Sequence, residues 1–143
     1  MRRSYQITRV AELETLSEFR MLIKQAAQEA NSRGIAIDQQ TIYDLQLAVD
    51  EAATNICTHG YAGMDAGSII LDLAIDERQA QIVITDFGHS FEPASAPTPD
   101  VEAALEDRPV GGFGLFFIYE SMDEVNYEAN ACGNRLILIK NLT

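Results

Sequence analysis

All four prolines of this 143-residue chain, Pro93, Pro97, Pro99 and Pro109, fall inside one segment, residues 89–110. Proline lacks a backbone donor and blocks a helix interior, so neither a long helix nor a central strand crosses that segment. It reads as a long loop with room for one helical turn at residues 101–105. Loops of this length are uncommon in compact domains and are often functional. Regular structure must be built on either side of it. The length supports one domain with one core, residues 1–143, and no internal repeat or interdomain linker interrupts it.

Residues 5–10 alternate weakly and read as a strand. Leu13, Leu16, Phe19, Leu22 or Ile23, Ala26, Ala27 and Ala30 recur at three and four, which predicts a helix over residues 13–30 that Gly34 stops. Asp38 or Thr41 is placed to cap a second helix. Its apolar positions are Ile42, Leu45, Val49, Ala52, Ala53 and Ile56, and it ends near Gly60. Residues 61–67 form a turn. Residues 69–75 and 81–85 are β-like runs, and Asp76, Glu77 and Arg78 between them predict a hairpin. After the proline segment, residues 111–114 open a third helix over residues 115–122. Strands at residues 125–128 and 135–139 follow, joined by a turn at residues 130–133. The order βαα, ββ, loop, α, ββ predicts an α+β fold: a two-layer α/β sandwich with a mostly antiparallel sheet and helices on one face.

The chain carries 10 Lys and Arg against 22 Asp and Glu, a formal charge of −12. Such a surface repels a phosphate backbone and an anionic bilayer, so direct nucleic-acid and membrane partners are not expected. No apolar run spans a bilayer and no secretory signal follows Arg2 and Arg3. The expected compartment is the cytoplasm, where Cys57 and Cys132 read as buried free thiols.

Three polar constellations stand where packing alone would not want them. The first lies on the second helix, where Glu51, Asn55 and His59 are four apart. Each such step advances only about 40° round an α-helix, so the three share one edge. An amide oxygen beside a carboxylate suits a hard cation while the carboxylate takes a proton. A solvated face ending in a dipole-stabilised His explains the same pattern. The second is Asp86 at the end of an apolar strand with Gly88 two residues on. The carboxylate suits an exocyclic amine, and the glycine lets a flat ring approach. An ordinary strand end with a turn is the alternative. The third is Gly111, Gly112, Phe113, Gly114 and Leu115 at a helix start, where backbone amides and the dipole favour an anion. A plain hinge is its alternative. It is no Walker loop, because no Gly-Lys-Ser/Thr follows. In order, the three offer a cation ligand, an adenine anchor and a phosphate cradle with a lid.

The sequence resembles the GHKL ATPase superfamily and, within it, the stand-alone anti-sigma-factor serine kinases of the RsbW/SpoIIAB type. Residues 48–61, from Ala48-Val49-Asp50-Glu51 through Asn55 to His59-Gly60-Tyr61, resemble the N box of that family. Residues 86–93, opening Asp86-Phe87-Gly88, resemble its first glycine box, and residues 111–118 the second. Met122-Asp123-Glu124-Val125 and Gly133-Asn134-Arg135-Leu136 resemble the segments that follow. The likeness covers nearly the whole chain in the right order.

The resemblance implies a kinase that uses ATP and Mg²⁺. Asn55 would be the metal ligand, Asp86 would hold the adenine amino group, and Gly88 would border the base. Gly112, Phe113, Gly114 and Leu115 would wrap the phosphates. Glu51 would be the general base, with His59 at the phosphate end or capping the helix. The implied substrate is a serine or threonine of a STAS-domain anti-anti-sigma protein. The implied second partner is a sigma factor held inactive, and the implied assembly is a homodimer. Arg20 would meet a partner or lie solvated, and Arg108 in the lid at residues 89–110 would meet phosphate or a partner. Ser90 departs from the pattern, standing where many members have a second glycine. Two other readings share the nucleotide site: a partner-switch kinase with a non-sigma target, and a nucleotide-dependent binding module without catalysis. A histidine-kinase catalytic domain is less expected, because no phosphoacceptor helix precedes the domain.

Overall fold

The computed structural model describes residues 2–90 and 112–142. Five strands form one sheet: β1 Arg3–Val10, β2 Ser68–Ile75, β3 Gln79–Asp86, β4 Glu124–Asn130 and β5 Gly133–Asn141. Their order is β1-β2-β3-β5-β4, and every neighbouring pair is antiparallel. Three helices complete it: α1 Thr15–Ser32, α2 Gln39–Asn55 and α3 Gly112–Ser121. The expected α+β class and antiparallel sheet are those observed.

Alternation along the strands decides which face is covered. Ile69, Leu71, Leu73 and Ile75 on β2 are buried, as are Ala80, Ile82 and Ile84 on β3 and Leu136 and Leu138 on β5. Register aligns them into rows across the sheet. One row runs Ile7, Leu71, Ile84, Leu136 and Tyr127, and the next Tyr5, Leu73, Ile82, Leu138 and Val125. Onto these rows pack Phe19, Ile23, Ala27 and Ala30 of α1, Leu45, Val49, Ala52 and Ala53 of α2, and Ile118 of α3. Fully burying a side chain such as Phe19 or Leu45 contributes about 1.5–3 kcal/mol. The small residues Ala26, Ala48 and Ala53 are buried too and let the helices approach closely.

Local signals set the boundaries. Asp38 Oδ1 accepts the Thr41 backbone N–H at 2.8 Å, so Asp38 is the cap of α2. That bond holds its carboxyl below the usual value. Asp76 Oδ1 accepts the N–H groups of Arg78 and Gln79 and closes the β2–β3 hairpin. Gly34 follows α1 with φ +91°, a left-handed conformation suited to glycine.

Three expectations need correcting. Leu13 is not a core position of α1 but is 57% exposed. The helix starts later, after a turn in which Thr15 Oγ1 bonds the Val10 carbonyl. Helix α3 does not begin at Leu115 but three residues earlier, at Gly112, so most of the second glycine box is its first turns. The thiols are not both buried: Cys57 is half-buried and Cys132 is exposed in the β4–β5 turn, where its N–H bonds Asn130 Oδ1. Burial and the charges of Glu12 and Glu14 push the Cys57 thiol up, which keeps it protonated and unreactive. Residues 91–110 of the lid, with Arg108, lie outside the described residues.

Candidate functional site

The C-terminal half of α2 carries Asp50, Glu51 and Asn55. Arg20 of α1 reaches across so that its Nη1 lies 3.0 and 3.1 Å from the two Asp50 oxygens. Arg20 is therefore engaged within the molecule by Asp50, although 42% of its side chain stays exposed. Glu51 is half-buried and has no hydrogen bond or ion pair among the described residues. Burial pushes its carboxyl above the usual glutamate value, and the neighbouring Asp50 charge pushes the same way. A carboxyl raised toward neutrality is a better matched proton acceptor than an ordinary one. Asn55, one turn on, is also half-buried, and its amide is free among the described residues.

The regular α-helix stops at Asn55, before His59. After Asn55 the backbone widens into one π-helical turn, Ile56–Gly60, closed by Tyr61 N–H to the Ile56 carbonyl. His59 is exposed there. Such turns often sit at functional sites.

The π turn delivers Gly60 and Tyr61 against the end of β3. Tyr61, 7% exposed, donates its hydroxyl to the Ser68 carbonyl at 2.7 Å. The same oxygen accepts the Phe87 N–H at 2.9 Å. Gly60 lies under Gly88: a Cβ on Gly88 would fall 2.1 Å from the Gly60 carbonyl oxygen. The His89 N–H bonds that same oxygen, and its Nε2 lies 2.9 Å from the Ala62 carbonyl. The glycine at 88 was read as room for a flat ring. Its demonstrable requirement is backbone-to-backbone contact with Gly60. Ser90 is exposed just beyond.

Asp86 is 5% exposed, a burial a carboxylate tolerates only with hydrogen bonds. Its Oδ1 accepts the Gly88 N–H at 2.9 Å and Asn134 Nδ2 at 3.1 Å. Asn134, itself 5% exposed, also donates to the Gly88 carbonyl at 2.9 Å. Both bonds to Asp86 fall on Oδ1, and among the described residues Oδ2 takes none. An oriented acceptor oxygen of this kind, on a residue otherwise buried, fits the amino group of a purine base. A free Asn55 amide oxygen beside Glu51 likewise fits a hard cation that phosphates and water complete.

The structure thus joins the first two constellations directly, through Gly60 against Gly88 and Asp86. The third is brought in by α3, which begins at Gly112 and packs along α2. Sequence reasoning gave Asn134 and Tyr61 no role. The signal was available for Asn134, because β3–β5 register pairs it with Asp86. For Tyr61 nothing in the sequence shows that one hydroxyl spans β2 and β3.

The model of the histidine kinase-like ATPase domain matches residues 10–140. The chain belongs to that family. The histidine kinase-like ATPase domain described here is 38% identical over 100 residues to the serine-protein kinase RsbW of Oceanobacillus iheyensis, covering 67% of this chain and 62% of that protein. It is 34% identical over 100 residues to serine-protein kinase RsbW of Bacillus cereus, covering 67% and 61%. The matched part is therefore about three fifths of the length of these relatives. Among solved structures, the RsbU and RsbW domains of Rv1364c from Mycobacterium tuberculosis superpose with a TM-score of 0.67 at 19% identity, covering 96% of this chain and 32% of that one. A histidine kinase domain from Erythrobacter litoralis superposes with a TM-score of 0.57 at 16% identity, covering 91% and 60%. These two share the fold. Among the described residues of this ATPase domain, no helix is long and apolar enough to cross a membrane.

Proposed function

We propose that the chain is an ATP-dependent protein serine/threonine kinase and anti-sigma factor. In this reading it phosphorylates a STAS-domain anti-anti-sigma protein and sequesters a sigma factor in a partner switch. The observation that carries the reading is Glu51: a half-buried, unpaired carboxylate one helical turn from the free Asn55 amide, on the helix whose end abuts Asp86. A pure nucleotide binder needs Asn55, Asp86 and the glycines but has no use for a raised carboxylate. The likeness to serine-protein kinases RsbW points the same way.

Each residue then has a task. Asp86 accepts the adenine amino group on Oδ2 while Asn134 and the Gly88 N–H hold Oδ1. Gly88 keeps the first glycine box against Gly60 at the border of the base. The amides of Gly112, Phe113, Gly114 and Leu115 receive the phosphates at the N-terminus of α3, where the helix dipole favours anions. Mg²⁺, held by Asn55, supplies charge neutralisation to the phosphates. Glu51 takes the proton of the substrate hydroxyl as that oxygen bonds the γ-phosphorus and the bond to the ADP oxygen breaks. Phosphoryl transfer relies on positioning and electrostatics, so one base suffices. His59, exposed at the π turn, is assigned to the phosphate end. For a homodimer, the sheet face opposite the helices offers the partly exposed Ile70, Ile137 and Ile139 as apolar surface.

The test is a pull-down from the native host with and without ATP, with phosphosite mass spectrometry on what is captured. Phosphoserine or phosphothreonine on a STAS-domain protein with the wild type, and none with Glu51→Ala at unchanged ATP affinity, is the expected result. Base removal should slow transfer roughly 10²–10⁴-fold. Undiminished transfer by Glu51→Ala removes Glu51 as base, and ATP binding without transfer by the wild type leaves a binding module.

A further inference from the structure

The far end of α3 is anchored by a cation that the proposed chemistry does not use. Lys140 on β5 donates from Nζ to the Ser121 carbonyl at 2.9 Å and stands 3.1 Å from Asp44 Oδ2 on α2. The side chains of both are largely buried, 19% and 17% exposed. Asp44 is held in turn by Gln40 Nε2 at 2.9 Å. The residues after α3 are fixed to the same strand: Asp123 N–H bonds the Ile139 carbonyl, and Asn141 N–H bonds Asp123 Oδ2. The last turn of α3 is thus tied to β5 and, through Lys140, to the first half of α2.

Stability alone is a weak reason for such a pair. Desolvation offsets much of the attraction, and apolar residues of similar volume often do as well. What a largely buried pair adds is a penalty on separation, because moving one partner away leaves the other charge uncompensated. Helix α3 has ten residues, a rod about 15 Å long, so a tilt at Ser121 is transmitted to Gly112. A cation on the C-terminal carbonyls also complements the dipole whose positive end lies at Gly112.

We propose that Lys140 is a positioning residue for the polyphosphate. With Asp44 it fixes α3 against α2, so that the amides of Gly112 to Leu115 keep a set spacing from Asn55 and Glu51. The proposal rests on the nucleotide site of the preceding subsection. Adenosine reaches only the Asp86 end, whereas ATP needs both ends, and the difference isolates the effect.

The experiment is calorimetric titration of wild type, Lys140→Met and Lys140→Arg with ATP and with adenosine, alongside a thermal melt of each. Lys140→Met should weaken ATP about tenfold, the scale of one misplaced charge-assisted hydrogen bond, and leave adenosine within about twofold. Lys140→Arg, which keeps the cation, should recover most of the ATP affinity. If Lys140→Met does not fold, Asp44→Asn makes the same comparison with Lys140 in place. Equal losses for ATP and adenosine would mean a merely structural role and overturn the proposal, as would unchanged ATP affinity. A wild type that binds neither ligand overturns the nucleotide reading itself, and this proposal with it.

Discussion

Gly88→Ala tests the corner on which the candidate site is built. A Cβ at this position would lie 2.1 Å from the Gly60 carbonyl oxygen and 2.5 Å from its carbon. Ordinary contact begins near 3.4 Å, so the two backbones must separate by roughly 1.3 Å. Neither atom belongs to a side chain that can rotate away. The separation breaks the bond from His89 N–H to the Gly60 carbonyl and strains the Tyr61 hydroxyl to Phe87 N–H. Two hydrogen bonds at about 1 kcal/mol each, one backbone–backbone and one from backbone to the Tyr61 hydroxyl, place the cost at about 2 kcal/mol before any steric term. For a domain of this size that is a fall in Tm of roughly 4–8 °C, measurable by circular dichroism. Adenosine affinity should fall as well, because Asp86 Oδ1 is held by the Gly88 N–H. A Gly88→Ala chain that melts within a degree of wild type and binds adenosine normally would refute the backbone-contact account and restore the ligand as the reason for glycine.

Tyr61→Phe keeps the ring and deletes the strut. The Phe87 N–H and Ser68 carbonyl lose their common partner, at a cost of about 1–3 kcal/mol, and Phe87 amide exchange should accelerate; unchanged exchange there would show the hydroxyl bonds to be dispensable. Glu51 gives a pH-dependent signature. Burial raises its carboxyl in the folded chain, so the folded state holds that proton more tightly than the unfolded state does. Its contribution to stability is therefore greatest below the ordinary glutamate value and is lost as pH rises through the raised one. Glu51→Gln should be more stable than wild type near pH 7, with the gap closing at acid pH; chemical denaturation at several pH values reads this, and a gap that widens in acid contradicts it.

Much of this fold is legible because its signals are local. The three-and-four spacing of α2, the cap at Asp38 and the Asp76 turn depend on residues within a few positions of one another. Leu13 was misjudged because apolar periodicity does not register where a helix starts. The π turn was invisible for a similar reason, since four-residue spacing from Glu51 to His59 is equally consistent with a regular helix. Asp86 was identified as an acceptor from its place at a strand end, but what orients it comes from Asn134, 48 residues away. Its burial and the use of Oδ1 are properties of sheet register. Gly88 is marked in the sequence for the approach of a ring, and its backbone contact with Gly60 is a second requirement for glycine that only the fold shows.

Where the cations lie bears on how so acidic a chain can hold a polyphosphate. Six of its ten Lys and Arg residues, Arg3, Arg9, Arg20, Arg33, Arg135 and Lys140, form ion pairs with carboxylates of the same chain. Arg20 is committed to Asp50. Arg78 sits in the β2–β3 turn, at the opposite end of β3 from Asp86, and Arg2 acts on Asp76 of the same turn. Lys24 lies within α1. Among the described residues, then, no lysine or arginine is left over to form a cluster at the site. In the proposed reading, neutralisation falls to backbone amides, the α3 dipole and a divalent cation. A site of that kind gains little from long-range attraction and depends on where its amides stand. Small shifts of α3 against α2 should therefore change phosphate affinity more than changes in surface charge do.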